Sequence, residues 1–219
     1  MRLPLEPELR LPALSVFKRL SKRTFDLVLA ITILPMIAPV SLGLMILAKI
    51  FNGSSLFVQS RVGQYGELFR LYKICSMKQV EGYSTNITTD QDPRITKFGR
   101  VIRKTKLDEF PQIFNVLKGD MSFVGPRPDV LETYQDLRAE DAAVLCIRPG
   151  ITGVASITFT DEEGLLASVD NPEEYNRDVI FPEKVRLNKE YVAQQSLLLD
   201  LKIMIQNVIK VFNLSLIHI

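Results

Sequence analysis

The chain has 219 residues, with 27 Lys and Arg against 25 Asp and Glu, one histidine and two cysteines. That length fits one domain with an attached segment, and the balanced charge gives no footprint for nucleic acid or another polyanion. A single histidine, His218, excludes Ser-His-Asp and Cys-His catalysis and His-rich zinc sites, and Cys75 and Cys146 form no C-x-x-C pair. The two cysteines read as free thiols rather than a disulfide. Any chemistry must use carboxylates, Lys, Tyr, Ser or a hard metal ion.

Residues 1–15 carry Pro4, Pro7 and Pro12 and read as a flexible tail. Val16 to Asp26 is basic and amphipathic, with Lys18, Arg19, Lys22 and Arg23 among Phe17, Leu20 and Phe25, as in a juxtamembrane helix facing anionic lipid. Leu27 to Ala48 then runs for 22 residues without a charge, long enough to span a bilayer. Pro35 and Pro39 lie near its middle, each removing a helix hydrogen bond and crowding the carbonyl four residues back, so a sharp bend is expected. The segment is a kinked spanning helix, a re-entrant hairpin returning to the same face, or a buried soluble hairpin. Basic residues on both flanks place both ends in the cytoplasm and favour re-entry.

After this run the composition is that of a soluble domain. Leu56–Gln59 and Leu68–Tyr72 read as two short strands of a loose hairpin around Gly63 and Gly66. Gly82–Asp92 is loop-like. Lys97–Lys106 reads as a helix. A second helix, Leu107–Lys118, has apolar positions at Phe110, Ile113, Phe114 and Leu117 and stops at Gly119. Ser122–Pro128 is a Gly/Pro turn, Asp129–Leu145 is helix-like, and Arg148–Gly153 is another Pro/Gly loop. Glu173–Gln195 and Leu197–Phe212 read as further helices. Leu214–Ile219 resembles the translation of a sequencing adapter and is set aside, His218 with it.

The segment Asp92–Pro128 carries the candidate chemistry. Arg94, Lys97, Arg100, Arg103, Lys104 and Lys106 precede Asp108 and Glu109, and Lys118, Asp120 and Arg127 follow. The stripe at 97, 100 and 103/104 shares one helix face; by itself it is a solvated face, a headgroup contact or a phosphate site. Asp108-Glu109 in a first turn can simply complement the helix dipole. The functional alternative is a carboxylate nucleophile beside a second carboxylate that helps hold Mg²⁺, an ion that takes oxygen ligands and needs no His or Cys. Phosphoryl transfer also needs nearby cations to neutralise equatorial oxygens, and the arginines provide them with a bidentate fork.

Taken together, Lys22-Arg-Thr-Phe-Asp26, Gln59-Ser-Arg-Val-Gly63, Tyr72-Lys73 with Met77, and Asp92-Pro-Arg-Ile-Thr form an ordered series. It continues through Phe98-Gly-Arg-Val-Ile-Arg-Lys-Thr105, Leu107-Asp-Glu109, Pro111-Gln112 and Asn115-Val-Leu-Lys-Gly-Asp-Met-Ser122. Val124-Gly-Pro-Arg-Pro128, Arg148-Pro-Gly-Ile-Thr-Gly153 and Leu199-Asp-Leu-Lys-Ile203 complete it. The series resembles the bacterial sugar transferase family, the small monotopic polyprenyl-phosphate phosphoglycosyl transferases, over residues 16–212. The resemblance implies transfer of a sugar phosphate from a UDP-sugar to undecaprenyl phosphate with release of UMP, as a first membrane step of exopolysaccharide, capsule or O-antigen assembly. It implies Asp108 as nucleophile of a covalent phosphosugar–aspartate intermediate, Glu109 as its dyad partner, and Mg²⁺ at both. Phosphate or substrate contacts are expected from Arg127, Lys73, Arg94, Arg103 and Lys118, and a break in the membrane helix at Ala38-Pro39. Family members often have Ser where this chain has Ala38, and Gln where it has Ser156; Phe159–Lys184, with Asp161-Glu-Glu163, departs from the common pattern and points to a subgroup whose sugar specificity differs.

The expected fold is α+β and predominantly helical. It comprises a tail (1–15), a juxtamembrane segment and re-entrant membrane helix (16–50), and a catalytic domain (51–213) with interface helices and a small β hairpin. The expected setting is the cytoplasmic face of the bacterial inner membrane, in contact with its lipid, with a homodimer and downstream glycosyltransferases as partners and no nucleic acid. The alternative is a non-enzymatic membrane-anchored adaptor whose basic face binds lipid, and more remotely a nucleotidyl or phospholipid synthase, although no D-G-x₂-A-R pattern is present.

Overall fold

The computed structural model describes residues 15–80, 88, 92–134 and 137–217. The expected tail up to residue 14, most of the loop 82–91 and His218 lie outside the described residues.

Helix α1 (Val16–Asn52) is the longest element. Ser15 caps its start by accepting from the Lys18 N–H, and Gly53 closes it in the left-handed conformation at φ 83°, where glycine carries no Cβ penalty. The expected break at Ala38-Pro39 does not interrupt it: the helix is continuous through Pro35 and Pro39. Packing along its length supplies the reason. Ile33, Leu34 and Ile37 lie on a core of Leu71, Ile113, Val116 and Met121, and Leu44, Met45 and Ala48 pack with Ile74 and Ile102, so contacts on both sides of the prolines hold the helix together.

Both ends of α1 are fastened to the same domain. Near its start, Arg23 donates to the carbonyls of Val116 (2.6 Å) and Leu117 (2.9 Å), while Asp26 accepts from Ser122 Oγ (3.1 Å) and the Phe123 N–H (3.3 Å). At its end, Asn52 donates to the Cys75 carbonyl (2.6 Å) and accepts from Thr96 Oγ1 (2.7 Å). The other face is apolar and open, with Val28, Ile31, Met36, Val40, Leu42, Ile46 and Ile50 exposed. Only 11% of its most apolar window is buried. A soluble core helix would bury such a face, and the soluble-hairpin reading has no support here.

The expected hairpin is present and longer than predicted: β1 (Leu56–Val62) pairs antiparallel with β2 (Leu68–Ile74), Leu56 opposite Ile74. Helix α2 (Lys97–Lys104) starts on a Thr96 cap, and α3 (Gln112–Lys118) ends on Gly119 at φ 94°, as its sequence predicts.

Two readings need correction. Ser122–Pro128 and Arg148–Gly153 are not only turns: β3 (Ser122–Val124) and β4 (Gly150–Thr152) form a second, parallel pair, with Val124 opposite Thr152. Glycine makes this possible. A Cβ on Gly125, Gly150 or Gly153 would lie 2.4, 2.1 or 2.3 Å from a backbone atom of the opposite segment. Asp129–Leu145 is not one α-helix but two 3₁₀ segments, Leu131–Tyr134 and Ala139–Cys146. Leu131 and Tyr134, three residues apart as one 3₁₀ turn places them, share one cluster with Val62, Val144 and Val185.

Short helices α4 (Val154–Thr158), α5 (Glu162–Ala167) and α6 (Pro172–Tyr175) follow; α6 runs through a π turn at Asn176–Ile180 into α7 (Phe181–Gln194). The last helix, α8 (Leu197–Ile217), continues into the adapter-like segment and exposes Leu198, Leu201, Ile205, Val208 and Ile209. Cys75 and Cys146 are free thiols, as expected.

One ionic cluster joins these parts. Lys22 Nζ lies 2.9 Å from both Asp26 Oδ1 and Asp200 Oδ2, and Tyr191 Oη donates to Asp200 Oδ1 (2.6 Å). Asp26 and Asp200 are fully buried. A single lysine thus bridges carboxylates from α1 and α8.

Candidate active site

Asp108 and Glu109 are consecutive and both buried. In a continuous helix adjacent residues diverge by about 100° and would not share one environment. Here the chain turns first. Lys106 adopts the left-handed conformation (φ 56°, ψ 17°) and caps a 3₁₀ turn, Leu107–Glu109, between α2 and α3. A non-glycine residue in this region costs about 1–2 kcal/mol, and strain of this kind collects at functional sites. The surrounding turn holds it, with Glu109 N–H bonded to the Lys106 carbonyl (3.2 Å) and Phe110 N–H to the Leu107 carbonyl (3.3 Å). The expected single helix over Leu107–Lys118 is thus a 3₁₀ turn followed by α3.

The two carboxylates have opposite surroundings. Glu109 Oε1 accepts from Arg127 (2.7 Å), on the loop after β3, and from Lys73 Nζ (3.1 Å), on β2. Burial pushes the Glu109 carboxyl up, but Arg127, Lys73 and Lys106 outweigh it and hold the group well below the usual carboxylate range. Asp108 Oδ1 is buried with no hydrogen-bond partner. Burial raises its carboxyl above the ordinary value, against the pull of Lys73. Two adjacent acids are driven apart, one locked in its charged form and the other poised and free, the pattern by which environment assigns different roles to like groups.

Both line a cleft of about 2050 Å³ that also receives Lys73, Arg94, Arg103 and Arg127. Its wall includes Ile33 and Ile37 of α1, so it extends from the charged turn to the long apolar helix. Arg94 is engaged on Asp92, with its Nε 3.0 Å from Oδ1 and an Nη 2.7 Å from Oδ2; the expected phosphate ligand thus already neutralises a buried acid. Arg103 pairs with Glu163 of α5 and reaches Ser76 Oγ at 3.4 Å, while its Nε is buried and unpartnered.

Lys118 corrects the prediction. It stands outside the cleft, donating to Tyr72 Oη (3.2 Å) with its ammonium 5.3 Å from the ring centroid. Successive strand residues face opposite sides: Lys73 faces the cleft, and Tyr72 carries Lys118 with it to the other. Conversely, Lys106, Glu163, Glu162 and Lys184 line the cleft without having been singled out as site residues. The Glu162–Lys184 pair (2.7 Å) and the Arg103–Glu163 pair close across 22 and 60 residues of chain, and no local pattern announces such contacts.

The donor set bears on Mg²⁺. Among the described residues no group of three or more His, Cys, Asp or Glu could cage a metal. Mg²⁺ characteristically uses one or two carboxylates together with ligand phosphates and water. The unpartnered Asp108 Oδ1, with Glu109 beside it and cations around a cleft wide enough for a diphosphate, fits that mode and not an all-protein cage.

Similarity to known proteins is consistent along the chain. The family described as Bacterial sugar transferase matches residues 17–214. The UDP-glucose:undecaprenyl-phosphate glucose-1-phosphate transferase of Escherichia coli (strain K12) is 37% identical over 204 residues, covering 91% of this chain and 42% of the relative. The galactosyl transferase CpsE of Streptococcus agalactiae serotype III (strain NEM316) is 34% identical over 200 residues, covering 85% and 41%. The exopolysaccharide production protein ExoY of Sinorhizobium fredii (strain NBRC 101917 / NGR234) is 34% identical over 209 residues, covering 86% and 84%. The chain thus spans about two fifths of the first two relatives and most of the third.

Proposed function

The chain belongs to the bacterial sugar transferase family, and from that premise we propose that it transfers a sugar 1-phosphate from a UDP-sugar to undecaprenyl phosphate. The observation that carries the reading is the Asp108–Glu109 turn: a buried carboxylate oxygen without a partner beside a carboxylate held by two cations. In the first step an oxygen of Asp108 attacks the phosphorus that bears the sugar. The bond from that phosphorus to the bridging oxygen breaks, and UMP leaves with the electron pair. In the second step a phosphate oxygen of the acceptor attacks the same phosphorus and returns the Asp108 carboxylate. Covalent catalysis divides one displacement between two anions into two displacements.

Lys73 and Arg127 face the reacting phosphate with their charge partly spent on Glu109, which fixes their position; Arg103 offers its unpaired Nε. Asp108 and Glu109 are the residues that would hold Mg²⁺ with the donor diphosphate. The ion, when bound, would neutralise charge on the phosphate oxygens and the leaving UMP.

The membrane setting belongs to the same proposal. α1 is apolar on its open face, α8 exposes a second apolar row, and both ends of α1 return to one domain. These features support a monotopic placement with both ends of α1 on one side of the membrane; in this reading that side is the cytoplasmic face of the inner membrane, where a soluble donor and a lipid acceptor meet over one cleft. Cysteine reporters at Val16 and Lys78 should both react from the cytoplasmic side only; labelling of either from the periplasm would mean a spanning helix.

The reaction is tested with purified protein in detergent, UDP-sugar and Mg²⁺ but no acceptor. About one equivalent of UMP per protein should appear, with the mass of one sugar phosphate added to the peptide containing Asp108. Undecaprenyl phosphate should then restore turnover and remove the adduct. A protein that binds vesicles but releases no UMP with any UDP-sugar would be the adaptor instead.

A further inference from the structure

Two hydroxyls on the wall of the cleft have no partner. Thr152 Oγ1, on β4, and Ser156 Oγ, on α4, are buried and unbonded, and both residues line the cleft that holds Asp108. A hydroxyl in that state has given up water and recovered nothing, and each such group in a folded protein calls for a cause. The usual outlet for a helical Ser or Thr is the carbonyl three or four residues back. Thr158 and Thr160 use it, bonding to Val154 O (3.0 Å) and Ile157 O (2.6 Å). Ser156 does not; the carbonyl four residues before it belongs to Thr152 and already accepts from the Gly125 N–H (3.0 Å).

The place of these hydroxyls is set closely. Thr152 lies opposite Val124 in the parallel pair, three residues before Arg127, and Gly153 is pressed against Gly125, where a Cβ would come within 2.3 Å of the Gly125 carbonyl. The wall with the hydroxyls is therefore packed directly against the segment that leads to the arginine holding Glu109. Chemistry divides the cleft accordingly. Lys73, Arg103 and Arg127 suit phosphate. Thr152 and Ser156 carry no charge and can donate and accept, which suits a neutral polyol.

We propose that Thr152 and Ser156 hydrogen-bond the hexose of the nucleotide-sugar donor and select which sugar is accepted. The proposal rests on the reaction assigned above. A site built to pair a ligand hydroxyl rejects the analogue that cannot supply it, because the protein group is then left buried and unpaired. The ribose and uracil of the donor could use the same hydroxyls, and the test separates the two parts of the ligand.

Thr152→Val and Ser156→Ala are near in shape to the native residues and remove only the hydroxyl. Dissociation constants would be measured for UDP and for UDP-glucose, UDP-galactose and their N-acetylamino counterparts, together with the melting temperature without ligand. Each variant should bind UDP as the native protein does, bind the preferred UDP-hexose about tenfold more weakly, and lose a similar factor of preference over its 4-epimer. Melting without ligand should not fall, since neither hydroxyl has a partner to lose. Equal weakening for UDP and UDP-hexose, no weakening at all, or a lowered melting temperature would each overturn the proposal. A native protein that binds no UDP-hexose refutes the assigned reaction itself, a result visible before any variant is made.

Discussion

Asp108→Asn is expected to abolish turnover while leaving the protein folded. The substitution keeps the shape of the side chain and removes the nucleophilic oxygen. Loss of a nucleophile lowers kcat by roughly 10³-fold or more, read here as UMP released in the presence of undecaprenyl phosphate and Mg²⁺. Stability should move the other way or not at all. Burial holds the Asp108 carboxyl above its ordinary value, so its contribution to stability is full below the unfolded carboxylate pKa of about 3.9 and is lost as pH rises through the raised native value. At neutral pH the ionised group is thus a burden that asparagine lacks. The variant should melt at or above the native temperature at pH 7–8, with the difference closing as pH falls towards 4. Near-full turnover in the variant would remove Asp108 from the mechanism.

Glu109→Gln should do the reverse to stability. Glu109 is held well below the usual carboxylate range, so its stabilising contribution is present above the unfolded value of about 4.3 and is lost as pH falls through the depressed native one. Glutamine removes the carboxylate charge that lies directly against Lys73 and Arg127. Removing one partner of a buried pair costs about 3–5 kcal/mol. The lower end applies, because the Arg127 side chain is 33% exposed and solvent screens part of the loss. About 3 kcal/mol lowers the melting temperature of a chain this size by about 6–12 °C. The deficit should be largest near neutral pH and shrink in acid, where the native protein loses the same contribution. Saturating UDP should recover more of the melting temperature in the variant than in the native protein, since phosphate then meets two uncompensated cations. An unchanged melting temperature at pH 7 would show that the clamp carries no stability.

The features legible from sequence are those encoded over short distances. The β1–β2 hairpin follows from two short apolar runs joined through Gly63 and Gly66, and the end of α3 from Gly119. The Asp108–Glu109 pair follows from a motif in which basic residues precede two acids. What escaped reading depends on partners remote in the chain. β3 and β4 look like loops because three-residue strands flanked by glycine and proline are too short to show alternation, and only their mutual approach makes them strands. Lys118 belongs to the same motif series as Arg127, yet the two-residue period of β2 sends it to the opposite side. The prolines of α1 predict a break from local sterics, and contacts spread along the helix outweigh that tendency. Lys106 shows the converse: nothing in its side chain prefers the left-handed region, and the fold around it imposes the turn that buries both acids.

Lys22 ties α1 to the rest of the molecule more closely than an anchor is tied to its cargo. It is the counter-ion of Asp200 on α8 as well as of Asp26 on its own helix, and the next residue, Arg23, satisfies the final carbonyls of α3. Cutting the chain after α1 would leave the fully buried Asp200 carboxylate without its lysine and the Leu117 carbonyl, near the end of α3, without its guanidinium donor. The apolar helix is therefore an internal strut of the domain that follows it, and removing it would strip that domain of buried ionic and hydrogen-bond partners.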